Sequence, residues 1–415
     1  MSTPLTANKV CIIIGASHGG VNLAFALRKE GWEGEIHLID KDPNPPYHRP
    51  PLSKAHLTTD DGLEKILLKA PKAYQDNHIE LHLGQEVAAI DHVHQLVNLA
   101  DGSSKHYDKL VLAVGARPII PPIKGIDDVK HLYPMRTADD VNNIRSAFSQ
   151  CSAKRVVIIG GGYIGLETAA SLRKLGGEVT VLEREERILA RVTAPIMSEF
   201  FQKLHTDHGV NIRTGKNVVE LRQNTNGQEV LCSDGTVYPA DVIVMGVGIR
   251  VNQELAEEAG LKIDNGISVN EQCKTSHSNI YAIGDCTFHY NKHYDRWLRL
   301  ESVQNAVDQA KTTAQALTDK NPEYDALPWF WSDQYDVKLQ MVGLSDGYDE
   351  ILKRDESTDD QHKFSTWYFK GDQLLAVDAV NNAKAYVVGT KLIGAKTQVR
   401  KDVLSDPEQD LKALL

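Results

Sequence analysis

Cysteine is scarce in this 415-residue chain: there are five, an odd number, and no Cys-x-x-Cys pair. That argues against a dithiol active site and fits a reducing compartment, so each cysteine reads as a small packing residue. Long apolar runs are also missing. None approaches the roughly 20 residues needed to span a bilayer, and the opening Met-Ser-Thr-Pro-Leu-Thr-Ala-Asn-Lys lacks a signal-peptide core, which points to the cytoplasm and to no membrane partner. Positive charge is not in excess; a formal net charge of −10 disfavours nucleic acid as a partner. Neither His289 with His293 nor His92 with His94 has cysteine or acidic companions at ligand spacing, so the sequence proposes no metal site. The composition is otherwise that of an ordinary globular protein, 41% hydrophobic and 25% charged, too long for one core and suited to two or three domains.

What the chain does have is one nucleotide-binding signature written twice. Val10–Asp40 reads as an apolar strand, the turn Gly15-Ala-Ser17-His18-Gly19-Gly20, a helix ending Leu27-Arg28-Lys29-Glu30-Gly31, and a second strand closing on Asp40. Val156–Glu183 repeats it with Gly160-Gly-Gly162-Tyr163-Ile164-Gly165, a helix ending Leu172-Arg173-Lys174-Leu175-Gly176, and a strand closing on Glu183. Such a βαβ unit sets a pyrophosphate on a helix N-terminus, where unpaired N–H groups and the positive dipole end favour an anion. The first glycine allows the tight turn, the second a close approach of backbone to phosphate, the third the packing of helix on strand. Only the second unit has all three, since Ser17 occupies the middle position of the first. Asp40 and Glu183 are the candidates to accept hydrogen bonds from ribose hydroxyls. Glu183 would repel a 2′-phosphate, which favours NADH over NADPH, although Arg184 and Arg187 follow closely and either could turn toward a phosphate.

Three further stretches complete the pattern. Asn279-Ile-Tyr-Ala-Ile-Gly284-Asp285 is a short strand delivering an aspartate at its end. Leu110-Val-Leu-Ala113-Val-Gly115-Ala-Arg117-Pro118 is a strand running into a glycine turn, and Val242-Ile-Val-Met-Gly246-Val247-Gly248 is its counterpart in the second unit.

With Pro46-Tyr-His-Arg49-Pro50-Pro51-Leu52-Ser53-Lys54, Arg299-Leu-Glu301-Ser302-Val303-Gln304-Asn305-Ala306 and Pro328-Trp-Phe-Trp331-Ser332-Asp333-Gln334, nearly the whole chain resembles the NADH-dependent, FAD-containing ferredoxin reductases of bacterial oxygenase systems. Departures are Ser17 for glycine, a His18 the motif does not require, and Val251 where many relatives carry proline. The resemblance implies an α/β fold: two Rossmann-like dinucleotide-binding domains, the NAD domain (119–248) inserted into the FAD domain (1–118 and 249–326), followed by a C-terminal α+β domain (327–415). Alternation in Lys338-Leu-Gln-Met-Val and Phe364-Ser-Thr-Trp-Tyr-Phe predicts antiparallel strands there, with Arg354–Lys363, including Asp355, Glu356, Asp359 and Asp360, as a solvated hairpin tip.

The resemblance carries FAD contacts onto Gly15, Ser17, His18, Gly19, Gly20, Asp40, Arg49, Lys54, Ala113, Gly115, Arg117, Asp285, Glu301, Ser302, Val303 and Trp331. It carries NAD contacts onto Gly160, Gly162, Tyr163, Ile164, Gly165, Glu167, Glu183, Gly246, Val247 and Gly248. Lys54 and Glu167, the latter placed on the first turn of its helix, would meet near the flavin, where a lysine can stabilise negative charge. Trp331 would close over the cofactor edge, while Trp329 and Phe330 read as core. The implied activity is passage of electrons from NADH through FAD to a [2Fe-2S] ferredoxin or a rubredoxin that feeds an oxygenase or cytochrome P450. For an acidic partner, the five cations Lys384, Lys391, Lys396, Arg400 and Lys401, with no acid between them, and Lys311 form a candidate docking patch. A disulfide reductase, an NADH oxidase or peroxidase with a lone cysteine, and a flavoprotein like the apoptosis-inducing oxidoreductases would share the fold; the first two lack their cysteine chemistry here.

Overall fold

The computed structural model describes residues 9–225, 227–359 and 361–415. The opening residues read above for a signal peptide, all but Lys9, lie outside them, as does Asp360.

Two parallel sheets of the same design organise the chain. In the first, the strand order is Ile280–Ala282, Lys109–Leu112, Val10–Ile14, Glu35–Asp40, Glu80–Leu83; in the second it is Asn211–Arg213, Glu178–Leu182, Arg155–Ile159, Val242–Met245, Leu132–Pro134. Val10–Ile14 and Arg155–Ile159 are the central strands, with parallel neighbours on both sides, and both are almost wholly buried. Their near-continuous apolar runs, Val-Cys-Ile-Ile-Ile and Val-Val-Ile-Ile, suit strands covered on both faces. A three-stranded antiparallel meander accompanies each sheet, Val87–Asp91 to Ser104–His106 in one and Val218–Asn224 to Val237–Ala240 in the other. Where the chain passes from one unit to the other and back, Ala116–Pro118 pairs antiparallel with Ile249–Val251.

Sequence duplication becomes geometric duplication at the turns. Gly15 and Gly160 both hold left-handed φ values, +108° and +113°, and a Cβ on either would stand 2.3 Å from a carbonyl oxygen, of Ala113 and Gly246 respectively. The helices His18–Glu30 and Tyr163–Lys174 then start against their strands because Gly20 and Gly165 lie on the carbonyls of Gly15 and Gly160, at 1.9 and 2.2 Å from an added Cβ. At the far ends the paired Leu-Arg-Lys motifs serve the same purpose. Arg28 donates to the carbonyls of Trp32, Gly34, Asn77 and His78, and Arg173 to those of Gly177 and His208. Each guanidinium ties a helix C-terminus to the loop entering its sheet's edge strand, Glu80–Leu83 or Asn211–Arg213.

The C-terminal unit is a five-stranded antiparallel sheet ordered Trp329–Gln334, Val337–Gly343, Gln373–Val380, Phe364–Lys370, Glu350–Asp355. Phe364–Phe369 is buried at every position rather than alternating. Trp367, Phe369 and Val377 face the helix Ala383–Gly394, whereas Leu339, Phe364 and Val380 join a core with Met197 and Phe201 of the second nucleotide unit. A sheet covered on both faces loses its period-2 signal. The expected solvated tip is also corrected at its first residue. Arg354 is buried and donates to the carbonyls of Leu404, Asp406, Pro407 and Gln409, pinning the end of the chain. No helix among the described residues is long and apolar enough to cross a membrane.

Gly20→Ala is expected to destabilise the flavin-loaded protein by about 1–3 kcal/mol, because the methyl group must displace a backbone carbonyl in a packed turn. Gly394→Ala, where an added Cβ meets nothing within 4 Å, should change stability little. Urea unfolding of the two variants beside wild type measures the difference.

Candidate functional site

A cavity of about 1820 Å³ runs from one Gly-rich turn to the other and on beneath the edge of the C-terminal sheet. Pockets for single small ligands reach about 1,000 Å³, so this one has room for two dinucleotides. Three helix N-termini open into it, those of His18–Glu30, Tyr163–Lys174 and Val303–Leu317, and none has an acidic residue in its first turn. At the first two, no side chain caps the N-terminus. A Cβ on Gly162 would meet nothing within 4 Å. Free N–H groups and an unneutralised dipole end make both turns fit for a pyrophosphate, and the second adds an open approach over its middle glycine.

The strand-end carboxylates are oriented by the turns they face. Asp40 accepts from the N–H of Ala16 at 2.5 Å and from Asp42 at 2.9 Å; Glu183 accepts from Gly161 at 2.7 Å and from Glu185 at 2.9 Å. Of the two arginines behind Glu183, Arg187 is committed elsewhere, donating to the carbonyls of Ala190 and Thr193 and to Ser198 Oγ. The expectation that it could turn to a phosphate is thereby corrected. Arg184 is exposed and, among the described residues, pairs with the adjoining Glu185 at 2.9 Å.

At the first turn, Ser17 stands where the middle glycine would and accepts from Arg49 Nε at 3.2 Å, while Arg49 Nη1 donates to the Arg136 carbonyl at 2.5 Å. Arg136 in turn pairs with Asp285 at 3.3 Å. Arg136 was invisible in the sequence, for it belongs to no motif. His18 lies beside His48 at 3.3 Å; burial, reinforced by His48, Arg49 and Arg136, pushes it down to about 3, so it faces the cavity uncharged. Arg117 lines the cavity but its guanidinium is engaged by Glu254 and Asn252. Ser302 caps the Val303–Leu317 helix through the N–H of Asn305, and Glu301 is paired with Arg299 at 2.5 Å.

Every residue expected at a cofactor lines the cavity except Gly20 and Gly165. Those two sit behind the turns, where the absence of a side chain serves helix packing instead of ligand contact.

Among the residues lining the cavity, Glu167 joins three units. It sits on the second turn of its helix, not the first, and its carboxylate is buried. One oxygen accepts from Ser53 Oγ at 2.6 Å and Lys54 Nζ at 2.7 Å, the other from Ser332 Oγ at 2.6 Å. Ser53 and Ser332 were passed over in the sequence, although both lie inside the motifs that drew attention to Lys54 and Trp331. Lys54 is further held by the Pro50 carbonyl at 3.2 Å. Tyr163, at the head of the same helix, reaches Met341 Sδ at 3.0 Å and packs on Phe330, which is half-buried against the core and also lines the cavity, so its expected core role holds only in part. Trp329 is not core. It is 38% exposed at the rim of the cavity, its ring centroid 5.5 Å from that of Trp331.

No cysteine lines the cavity among the described residues. All five are free, and burial pushes Cys11, Cys273 and Cys286 up to about 12, which leaves them as inert thiols.

Comparison with known proteins agrees with this geometry. Residues 9–310 match the pyridine nucleotide-disulphide oxidoreductase family and residues 329–415 the reductase C-terminal family. Putidaredoxin reductase of Pseudomonas putida is 43% identical, over 99% of this chain and 98% of its own. The ferredoxin reductase subunit of 5,5'-dehydrodivanillate O-demethylase from Sphingobium is 40% identical, over 97% and 98%. Among solved structures, the covalent putidaredoxin reductase–putidaredoxin complex superimposes with a TM-score of 0.93 at 43% identity, covering 98% of both chains.

Glu167→Gln keeps the side-chain shape and removes the charge that fixes Lys54. Turnover of NADH with ferricyanide is expected to fall at least tenfold, with FAD content and KM for NADH little changed. If KM rises instead and kcat holds, the carboxylate serves binding alone.

Proposed function

Because the chain belongs to the pyridine nucleotide-disulphide oxidoreductase family, and within it to the ferredoxin reductases of oxygenase systems, we propose that its cavity passes electrons from NADH through FAD to a small iron–sulfur protein. That acceptor is a [2Fe-2S] ferredoxin or a rubredoxin, which feeds an oxygenase or cytochrome P450. The observation that carries this reading is that both Gly-rich turns open into one continuous cavity, with no cysteine along it. Disulfide reduction and cysteine-dependent peroxide chemistry therefore have no nucleophile in place.

We assign residues 1–118 and 249–326 to the FAD-binding domain, 119–248 to the NAD-binding domain and 327–415 to the C-terminal domain. The Gly15 turn with Asp40, the Arg49–Arg136–Asp285 chain and the Ser302-capped helix would hold FAD. The Gly160 turn with Glu183, and Gly246–Gly248, would hold NADH. FAD, when bound, supplies the exchange between a two-electron donor and a one-electron acceptor. The protein's own contribution is placement: Glu167 fixes Lys54 and Ser332 around the point where the two ligands meet, and Trp331 walls that point off from water. Lys54 would place a positive charge there. We place the protein in the cytoplasm, a compartment compatible with five unpaired thiols.

For the acceptor we propose a docking surface that keeps only part of the expected basic patch. Acids neutralise much of the basic patch: Lys384 pairs with Asp410 and Lys401 with Glu350 from distant segments, and Arg400 with Asp402 and Lys311 with Asp308 from close by in the chain. Lys391 and Lys396 remain exposed without an ion pair among the described residues. Lys391 follows Val387 by one turn on the Ala383–Gly394 helix, and Tyr386 of that helix packs against Trp329. An exposed face running from Trp329 over Val387 to Lys391 leads to the cavity rim, and we propose that the acceptor docks there.

Replacing Glu183 with alanine is expected to shift the ratio of kcat/KM values toward NADPH by about tenfold, or about 1.4 kcal/mol; wild type that already prefers NADPH would assign the selection to Arg184. For docking, ferredoxin reduction should fall with ionic strength while NADH–ferricyanide activity holds, as the screening length shrinks from about 10 Å at 0.1 M salt to about 3 Å at 1 M. Val387→Asp with Lys391→Glu should raise KM for ferredoxin and leave KM for NADH unaltered. If ferredoxin kinetics survive both salt and this double variant, the acceptor docks on another face.

A further inference from the structure

Away from the cavity, the sheet of the first unit carries an arrangement that electron transfer does not use. The motif Glu-x-His occurs on two neighbouring parallel strands, as Glu35-Ile36-His37 and as Glu80-Leu81-His82. Residues two apart on a strand share a face, and the register sets His37 against Glu80 and Ile39 against His82. Four polar side chains therefore gather on one face at the edge of the sheet, where Glu80–Leu83 is the outermost strand.

Their donor atoms lie at ligand spacing. His37 Nδ1 is 3.0 Å from His82 Nε2 and 3.2 Å from Glu80 Oε2, and His82 Nε2 is 3.6 Å from the same oxygen. Tetrahedral bonds of about 2.0–2.1 Å to zinc put neighbouring ligands about 3.3 Å apart. The remaining ring nitrogen of His37, Nε2, meets Glu35 Oε2 at 3.1 Å. A carboxylate on the second nitrogen is the usual way of fixing the tautomer of a metal-bound histidine. Both imidazoles are largely shielded, whereas Glu80 is open to solvent.

We propose that His37 Nδ1, His82 Nε2 and the Glu80 carboxylate form a binding site for a zinc-class divalent cation, with Glu35 as the positioning residue for His37 and the fourth coordination position open to water. None of the four residues lines the cavity, so the ion would clamp the edge strand to its neighbour and take no part in turnover. The site is not legible in the sequence, because its ligands come from strands more than 40 residues apart in the chain and meet only through sheet register.

The test uses FAD-loaded protein freed of metal by a chelator and titrated calorimetrically with Zn²⁺. Wild type should take up one equivalent at a dissociation constant in the micromolar range or tighter, with a rise in thermal midpoint on loading. His82→Gln and Glu80→Gln should each weaken that binding at least tenfold, and Glu35→Gln by about tenfold, the usual size of an outer-shell effect. NADH–ferricyanide activity should stay the same in all three. Equal affinity and stoichiometry in wild type and variants would place the zinc on other histidines and overturn the proposal, as would a wild type that takes up none. Should His82→Gln retain no FAD, the exposed Glu80→Gln decides alone.

Discussion

A single buried carboxylate holds the three parts of this molecule in register. Glu167 rides on the helix of the second nucleotide unit, accepts from Ser53 and Lys54 of the first, and accepts from Ser332 of the C-terminal sheet. Burying a carboxylate costs several kcal/mol unless it is paired and its lone pairs are filled. Three donors meet that cost, and each comes from a unit other than its own. The junction is therefore cooperative: withdrawing any one unit leaves the charge short of partners, which makes the relative placement of the units part of the stability of the fold.

Duplication supplies the rest of the framework. The two turns reuse one steric solution, with a left-handed glycine under a carbonyl and a second glycine where helix meets strand. They also reuse one electrostatic solution, a strand-end carboxylate held by the N–H of the turn. The departures fall where the two halves differ in task. Ser17 takes the middle position of the first turn and is held by Arg49, so that turn presents a hydroxyl and a guanidinium where the second presents open backbone. The Arg49–Arg136–Asp285 chain then links this turn to the strand that returns after the inserted unit.

The C-terminal sheet plays a double role. One face completes the core of the second nucleotide unit and the other carries the helix Ala383–Gly394. Its first strand delivers Ser332 inward to Glu167 and Trp329 outward to the rim, so buried anchor and exposed ring belong to the same short segment.

The amino-acid sequence determined by itself those features whose physics is local. A turn that only glycine can make, a helix that starts on it and an acidic residue at the next strand's end are set by sterics and hydrogen bonds among near neighbours. The two turns, the strands flanking them, and the strand-end acids Asp40 and Glu183 were legible for that reason, whereas Lys54 and Glu167 were singled out only through resemblance to a family and meet across more than 100 residues of chain. Tertiary structure alone decided what depends on elements distant in the chain. Arg136 reaches Asp285 and Ser332 reaches Glu167 only because separate units pack together. Asp410 and Glu350 cancel cations that look unopposed in the linear stretch Lys384–Lys401. Arg354 is drawn inside by carbonyls some 50 residues further on, at |i−j| of 50 to 55. Charge and burial are sums over all neighbours in space, and a sequence shows only the neighbours along the chain.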